Sequence, residues 1–172
     1  EEMENLTAAR VSFALATVTA RDGSAPRSAG AKMLVKQDGG IVGTVGGGKL
    51  EAQVIDLAAR MINDRGAVIQ AFQFDGKDAA TMDAICGGQV EVLVEFIDPG
   101  DAQTEPVIRG LQAAIAQQRQ AWLITLLQSE TGATTHALVF QDVILGALPD
   151  GISLEKVRGS RLPTRMDLER QL

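Results

Sequence analysis

The chain is poor in aromatic side chains, with five Phe, one Trp and no Tyr among its 172 residues. It therefore offers no stacking platform for single-stranded nucleic acid. A formal net charge of −6 removes the basic footprint that non-specific nucleic-acid binding needs. No apolar run reaches the ~20 residues of a membrane-spanning helix. We expect neither nucleic acid nor a membrane as a partner, although backbone amides can still bind an anion locally.

Cysteine and histidine are equally scarce, with one residue of each. A single cysteine, Cys86, excludes an intramolecular disulfide framework and suits a reducing compartment, so we expect a cytoplasmic protein. A dedicated zinc site usually draws on several nitrogen and sulfur ligands, more than this chain supplies from His and Cys. Metal ligands therefore stay unknown at this point.

Apolar patterning predicts an α/β fold, a single mixed-sheet domain with flanking helices over residues 1–153, followed by a charged tail or linker at 154–172. The predicted helices lie at 3–10, 49–64 and 105–118, and the predicted strands at 11–19, 31–36, 41–45, 68–74, 89–97, 121–128, 136–140 and 143–148. The last three strands repeat the order of the first three. This favours an internal duplication, two three-stranded units in one sheet, unless unrelated meanders simply look alike.

The densest glycine cluster is Gly43-Thr44-Val45-Gly46-Gly47-Gly48-Lys49-Leu50-Glu51, between a predicted strand and a predicted helix. It contains the G-x-x-x-x-G-K part of a P-loop, but Leu50 stands where magnesium binding requires Ser or Thr. Its G-x-x-G-G-G spacing also differs from the dinucleotide fingerprint. Tight packing of strand on helix is one explanation. The other is an anion site, because exposed amides at a helix start favour negative charge.

A second cluster is Ile85-Cys86-Gly87-Gly88, at the entry to a strand. Cys86 is either a buried apolar residue or a thiol held near exposed backbone as a soft ligand. Glu51, in the first helical turn, is either a surface acid that the helix dipole favours or an acceptor for a bound heterocycle.

The segment Ser24-Ala25-Pro26-Arg27 is a stiff loop with one cation, either solvated or an anion clamp. His136 lies in an apolar strand and is interpreted as a core residue. No catalytic set of Ser, His and Asp can be assembled, so no catalytic residue is assigned.

Several segments together resemble the XdhC/CoxI family in the family's order. They are Ala14-Leu15-Ala16-Thr17-Val18, Gly23-Ser24-Ala25-Pro26-Arg27, Gly30-Ala31-Lys32-Met33-Leu34-Val35, the first glycine cluster, and Ile85-Cys86-Gly87-Gly88 with Val90-Glu91-Val92. The resemblance implies an accessory protein, rather than an enzyme, for the maturation of molybdenum hydroxylases such as xanthine dehydrogenase. Such a chaperone binds molybdenum cofactor (molybdopterin) transiently, assists its sulfuration and passes it to the apoenzyme.

On this resemblance the cofactor-binding residues are Arg27, Gly46, Gly47, Gly48, Glu51, Cys86, Gly87 and Gly88. The glycine amides would take the phosphate or a pterin edge, Arg27 would supply positive charge, Glu51 would accept from the pterin amine, and Cys86 would lie near the metal or its sulfur. The implied partners are a molybdenum hydroxylase apoenzyme and a cysteine desulfurase.

The chain departs from the family pattern in two respects. Many members continue into a Rossmann-like domain with its own glycine fingerprint, which does not occur in this sequence. Because the fingerprint is missing, we interpret the chain as a stand-alone form or a cut N-terminal part. Lys49 also stands where relatives often have a small residue or cysteine, and it either adds phosphate affinity or fills the pocket.

Two other functions stay open. One is the N-terminal part of a nucleotide-dependent, oxidoreductase-like protein that uses NAD(P) through the missing domain. The other is a docking module that binds no cofactor. Finally, the apolar run at 122–127 and the strand at 139–145 predict a homodimer, because a twofold interface would remove their apolar surface from water. The alternative is that these strands form the middle of the sheet and are covered by the two long helices.

Overall fold

The computed structural model describes residues 2–23, 27–74, 88–128 and 130–159. It confirms the α/β class. The described helices are α1 (Glu2–Ala8), α2 (Gly48–Asp64), α3 (Thr104–Ala116) and α4 (Leu154–Gly159). The described strands are β1 (Phe13–Gly23), β2 (Lys32–Val35), β3 (Ile41–Gly43), β4 (Ala67–Phe74), β5 (Gly88–Ile97), β6 (Ala121–Gln128), β7 (Ala133–Phe140) and β8 (Val143–Gly146). None of the described helices has the length and hydropathy that a bilayer crossing requires.

The described strands form two sheets, where the sequence predicted one. A five-stranded sheet has the order β3-β2-β1-β5-β4, and a three-stranded sheet has the order β6-β7-β8. The chain accordingly divides into two compact units. We call residues 13–96 the five-stranded unit and residues 2–12 with 97–159 the three-stranded unit. Strand patterning reports which face of a strand is buried, but not which strands share hydrogen bonds, and so it could not determine the number of sheets.

The core of the five-stranded unit lies between one face of its sheet and α2. Alternate residues of three strands turn toward the helix because successive side chains of a strand point to opposite faces. The strand residues in this core are Ala14, Ala16, Val18, Met33, Val35, Val90, Val92 and Val94, and α2 contributes Leu50, Val54, Leu57 and Ala58. The helical positions recur every three or four residues, as a single apolar stripe requires.

Helix α2 ends through Arg65 and not through the neighbouring Gly66. The residue in the left-handed conformation is Arg65, with φ of 53°. Its guanidinium lies over the Phe96 ring, 4.7 Å from the centroid, and this cation–π contact stabilises the strained residue. Gly66 still donates its N–H to the Met61 carbonyl at 3.1 Å.

The three-stranded unit buries its central strand most completely. Ala137, Leu138 and Val139 of β7 are each 0% exposed. Leu138 lies close to Gly110 of α3, where a Cβ would meet its side chain. Residues 154–159, which the sequence assigned to a charged tail, form α4 and bury Val157.

The two three-stranded meanders share one register. In the first, Met33 pairs with Gly43 at the end of β3, and the Thr44 N–H donates to the Lys32 carbonyl at 3.2 Å. Gly43 has φ of +86°, and a Cβ on it would lie 2.5 Å from the Lys32 carbonyl oxygen. Only glycine fits this position, since both the φ and the space exclude a side chain.

The second meander repeats this geometry. Ala137 pairs with Gly146 at the end of β8, and the Ala147 N–H donates to the His136 carbonyl at 3.0 Å. Gly146 has φ of +79° and lies against that same carbonyl. The sequence repeats as well, with Leu-Val-x-Gln-Asp at 34–38 and again at 138–142. Shared register, shared glycine and shared sequence support the internal duplication that the strand order suggested.

We predict that Gly43→Ala lowers the free energy of unfolding by about 2–3 kcal/mol, through an unfavourable φ and a clash with the Lys32 carbonyl. Gly39→Ala is the matched control, because Gly39 has φ of +81° but no atom within 4 Å of the place that a Cβ would take. It should cost about 1 kcal/mol, from φ alone. Urea unfolding measures both, and equal losses would contradict the close approach at Gly43.

Candidate functional site

Three of the sequence motifs meet at one end of the five-stranded sheet. The antiparallel pair β2 and β3 places the start of β2, at Lys32, beside the end of β3, at Gly43. Strand β1 pairs Thr17 with Lys32 and continues past this point to Gly23. Strand β5 lies beside this part of β1, since the Thr19 hydroxyl donates to the Glu91 carbonyl at 3.2 Å. We call this end, where β3 finishes and β2 and α2 begin beside the middle of β1, the glycine end.

The glycine loop at this end requires glycine at three successive positions. Gly46, Gly47 and Gly48 have φ of 144°, 81° and 58°. Gly47, the N-cap of α2, combines its φ with ψ of 177°, a backbone region that is essentially restricted to glycine. These dihedrals explain the three glycines, because the chain reverses into the helix through positive-φ conformations.

The Glu51 carboxylate holds this loop from within the helix. Its Oε1 accepts the Gly47 N–H at 2.9 Å and also accepts the Thr44 hydroxyl. The Thr44 Oγ1 in turn accepts the Gly46 N–H at 3.1 Å. A side chain of the first helical turn that reaches back to the cap is a capping interaction, and its negative charge suits the helix N-terminus. The amides of Gly46 and Gly47 are thus used inside the loop.

Beyond this network the loop faces open space. A Cβ on Gly47 or Gly48 would meet nothing within 4 Å, in contrast to Gly43. Gly48 is solvent-exposed and begins α2, and the first N–H groups of a helix have no acceptor within the helix. The outer surface of the loop can therefore present backbone donors and the positive end of the helix dipole to an anion.

Cationic side chains belong to the same end. Arg27 is exposed and precedes β2, and Lys49 is exposed in the first turn of α2. Lys32 starts β2 and donates from Nζ to the Thr17 hydroxyl at 2.8 Å. Met33 faces α2, so by alternation Lys32 lies on the other face of the sheet.

The environment of Lys32 is partly apolar. Desolvation lowers the pKa of its ammonium below the ordinary lysine value, and the negative charge of Glu95 opposes this shift. Lys32 as a whole residue is exposed, so this desolvation acts on a group that still meets water. Glu95 itself is only 1% exposed. The sequence argument did not select Lys32 as a site residue, although its place just before an apolar strand was a usable signal.

The predicted site residues are only partly brought together. Arg27, the three loop glycines and Glu51 belong to the glycine end, and Gly88 begins β5 three residues before Glu91, whose carbonyl accepts the Thr19 hydroxyl. Cys86 and Gly87 lie outside the described residues. Within the described ranges, no group of three or more His, Cys, Asp or Glu side chains is placed to hold a metal ion.

Two surface clefts are lined by other residues. A cleft of about 470 Å³ lies in the three-stranded unit and includes Arg119, Trp122 and Arg158. Another, of about 330 Å³, lies between α2 and β4 and includes Arg60 and Phe72. The glycine end is therefore identified by its backbone geometry and charges and not by a deep cavity.

Fold and site together define an α/β protein with a glycine loop that opens a helix at one sheet end. Residues 6–73 match the sequence profile of the XdhC and CoxI family. This segment contains the glycine loop, and it is the part of the chain that is similar to that family.

Two relatives extend the comparison. The chain is 35% identical over 82 residues to YqeB of Escherichia coli (strain K12), described as an uncharacterized protein, and the match takes in 48% of this chain and 15% of YqeB. A crystal structure of a xanthine dehydrogenase from Bacillus halodurans has the same fold, with a TM-score of 0.71 at 22% identity over 95% of this chain. The chain covers 49% of that structure's chain, and so spans half or less of both relatives.

We predict that Glu51→Ala lowers the free energy of unfolding by about 1–2 kcal/mol, because the Gly47 N–H and the Thr44 hydroxyl lose their acceptor. Glu51→Gln keeps an acceptor oxygen and should recover at least half of that loss. Asp56→Ala, at an exposed position of the same helix, is the control and should change stability by under about 0.5 kcal/mol. Urea unfolding in which Glu51→Ala equals Asp56→Ala would contradict the capping role.

Proposed function

We propose that this chain acts in the maturation of a xanthine-dehydrogenase-type molybdenum hydroxylase by holding molybdenum cofactor at the glycine end. The family of residues 6–73 supports the pathway. The observation that supports cofactor binding most directly is the open outer surface of the loop at Gly47 and Gly48.

The donors at this end suit the cofactor, a pterin with a dithiolene and a phosphate. A phosphate would bind the first-turn amides of α2, beginning with Gly48, where the helix dipole adds to the attraction. Arg27 and Lys49 would supply charge that compensates locally for the net −6 of the chain. When bound, the cofactor supplies the molybdenum centre that the hydroxylase uses.

The described geometry changes the roles first assigned to three residues. Gly46 and Gly47 donate their amides inside the loop, so we propose that they shape the site and that Gly48 contacts the anion. Glu51 uses Oε1 to hold the loop, so we propose that its other carboxylate oxygen accepts a hydrogen bond from the pterin amine. Cys86, Gly87 and Gly88 keep the proposed place near the metal or its sulfur.

Two partners follow from this proposal. The hydroxylase apoenzyme would receive the cofactor, and a cysteine desulfurase would supply the sulfur for its sulfuration, both in the cytoplasm. The proposed role is therefore binding and transfer, and it assigns no catalytic residue to this chain.

The test compares the same substitution at two glycines of opposite sheet ends. Gly48 has φ of +58° and Gly39 has φ of +81°, and neither has an atom within 4 Å of a Cβ position. Asparagine tolerates the left-handed region better than most residues, so both variants should fold. Gly48→Asn places a side chain where the anion would bind, whereas Gly39→Asn alters the β2–β3 turn.

We predict that the parent chain, purified from a host that makes the cofactor, carries bound pterin, measured by fluorescence after oxidative release. Gly48→Asn should retain about tenfold less, equivalent to ~1.4 kcal/mol of lost affinity, while Gly39→Asn should match the parent. A parent free of pterin would favour the docking module instead. Equal retention of pterin by the two variants would contradict a cofactor site at the glycine loop.

A further inference from the structure

Within the described residues the outer edge of β6 is unpaired, whereas the corresponding edge of β1 is paired with another strand. The two meanders share one register, so β6 corresponds to β1: Thr17 pairs with Lys32 in one, and Thr125 pairs with His136 in the other. In the five-stranded sheet, β5 lies against the outer edge of β1. Within the described residues, β6 has β7 on one side and no strand on the other.

The sequence of β6 lacks the features that protect an edge from pairing. Its eight residues, Ala121–Gln128, include no proline and no charged side chain, the two devices that most often block edge-to-edge association. The other edge of this sheet, β8, is only four residues long. An eight-residue apolar edge presents a row of backbone donors and acceptors that is long enough to pair with another strand.

Part of the accessible apolar surface of this sheet lies at the same edge. The central strand β7 is already covered, with Val139 at 0% exposure, so it cannot provide a new interface. In β6, every residue from Ala121 to Leu127 is only partly buried. Of the surface that the sequence argument assigned to 122–127 and 139–145, Val139 is covered, β6 keeps its share, and Val143 and Ile144 stay 53% and 39% exposed at the β8 edge.

Opposite charges at the two ends of β6 favour pairing with an antiparallel copy of the same strand. Arg119 precedes the strand and Glu130 follows it, and both are exposed. When two such strands pair antiparallel about a twofold axis, each Arg119 comes near the Glu130 of the other copy. A parallel pair would instead bring like charges together at both ends. The strand is thus complementary to its own antiparallel copy.

We propose that β6 pairs antiparallel with β6 of a second copy of this chain, joining two three-stranded sheets into one of six strands. The interface is isologous, as a twofold dimer requires. Main-chain hydrogen bonds join the strands, Trp122, Ile124 and Leu126 extend the contact on one face, and two Arg119–Glu130 pairs fix the direction. This dimer does not depend on cofactor binding.

The test is a charge swap on the full chain, followed by light scattering over a dilution series. The variants are Arg119→Glu, Glu130→Arg and the double swap, with Arg109→Glu as control, because Arg109 is an exposed cation of α3 that pairs with Glu105 on the same helix at 2.8 Å. The parent should be a dimer. Each single reversal should raise the dimer dissociation constant about tenfold by creating two like-charge contacts, and the double swap should restore it.

Amide hydrogen exchange supplies a second readout. Residues 121–128 should exchange more slowly at high than at low protein concentration, because dimerisation gives the outward amides acceptors. A parent that stays near 18.2 kDa at every concentration would overturn the proposal. The same dimer dissociation constant for Arg119→Glu and Arg109→Glu would also overturn it. So would concentration-dependent protection of a strand other than β6, since either result would place the interface elsewhere.

Discussion

The close approach of Gly43 to the Lys32 carbonyl organises the glycine end. It exists because glycine has no Cβ, and it lets the end of β3 turn away from the sheet while the Thr44 N–H still pairs with that carbonyl. From there the chain passes through three positive-φ glycines into α2, and Glu51 reaches back to hold the turn. The absence of a Cβ at Gly43 thus helps to set where α2 begins, and the N-terminus of α2 is where an anion can bind.

The second meander separates the structural part of this arrangement from the part that we assign to ligand binding. It keeps the glycine against a carbonyl, at Gly146, and the same strand register. It then continues as Ala147-Leu148-Pro149-Asp150-Gly151, without the triple glycine, into the six-residue helix α4. The shared device therefore belongs to the fold. The triple glycine and the 17-residue α2 belong to only one copy, which is why we place the cofactor there.

Local patterns predicted most of the fold. Apolar spacing located α2 within a residue, and alternation with Asp38-Gly39-Gly40 located the β2–β3 hairpin, because these signals depend on neighbours in sequence. What the sequence missed depends on distant contacts. Arg65 takes the left-handed position beside Gly66 because Phe96 lies under it, and the division into two sheets depends on strand pairing that no local pattern encodes.

The candidate site was predictable in position but not in detail. Glycine density and the family resemblance marked the loop, and the pairing of β2 with β3 places the start of β2 beside the strand that leads into it. The sequence could not reveal that Thr44 and Glu51 use the Gly46 and Gly47 amides, because these hydrogen bonds depend on the turn that the glycines make. The same geometry shifts the expected anion contact one residue onward, to Gly48.

The central claim is that the glycine end holds the cofactor, and amide hydrogen exchange of the cofactor-loaded and cofactor-free chain tests it most directly. A ligand bound to the first turn of α2 should slow exchange at residues 46–51, with smaller effects at 27–32 and 88–91. Residues 36–41, at the opposite end of the β2–β3 pair, should not change. Protection confined to the three-stranded unit, or none anywhere in the loaded chain, would contradict the account.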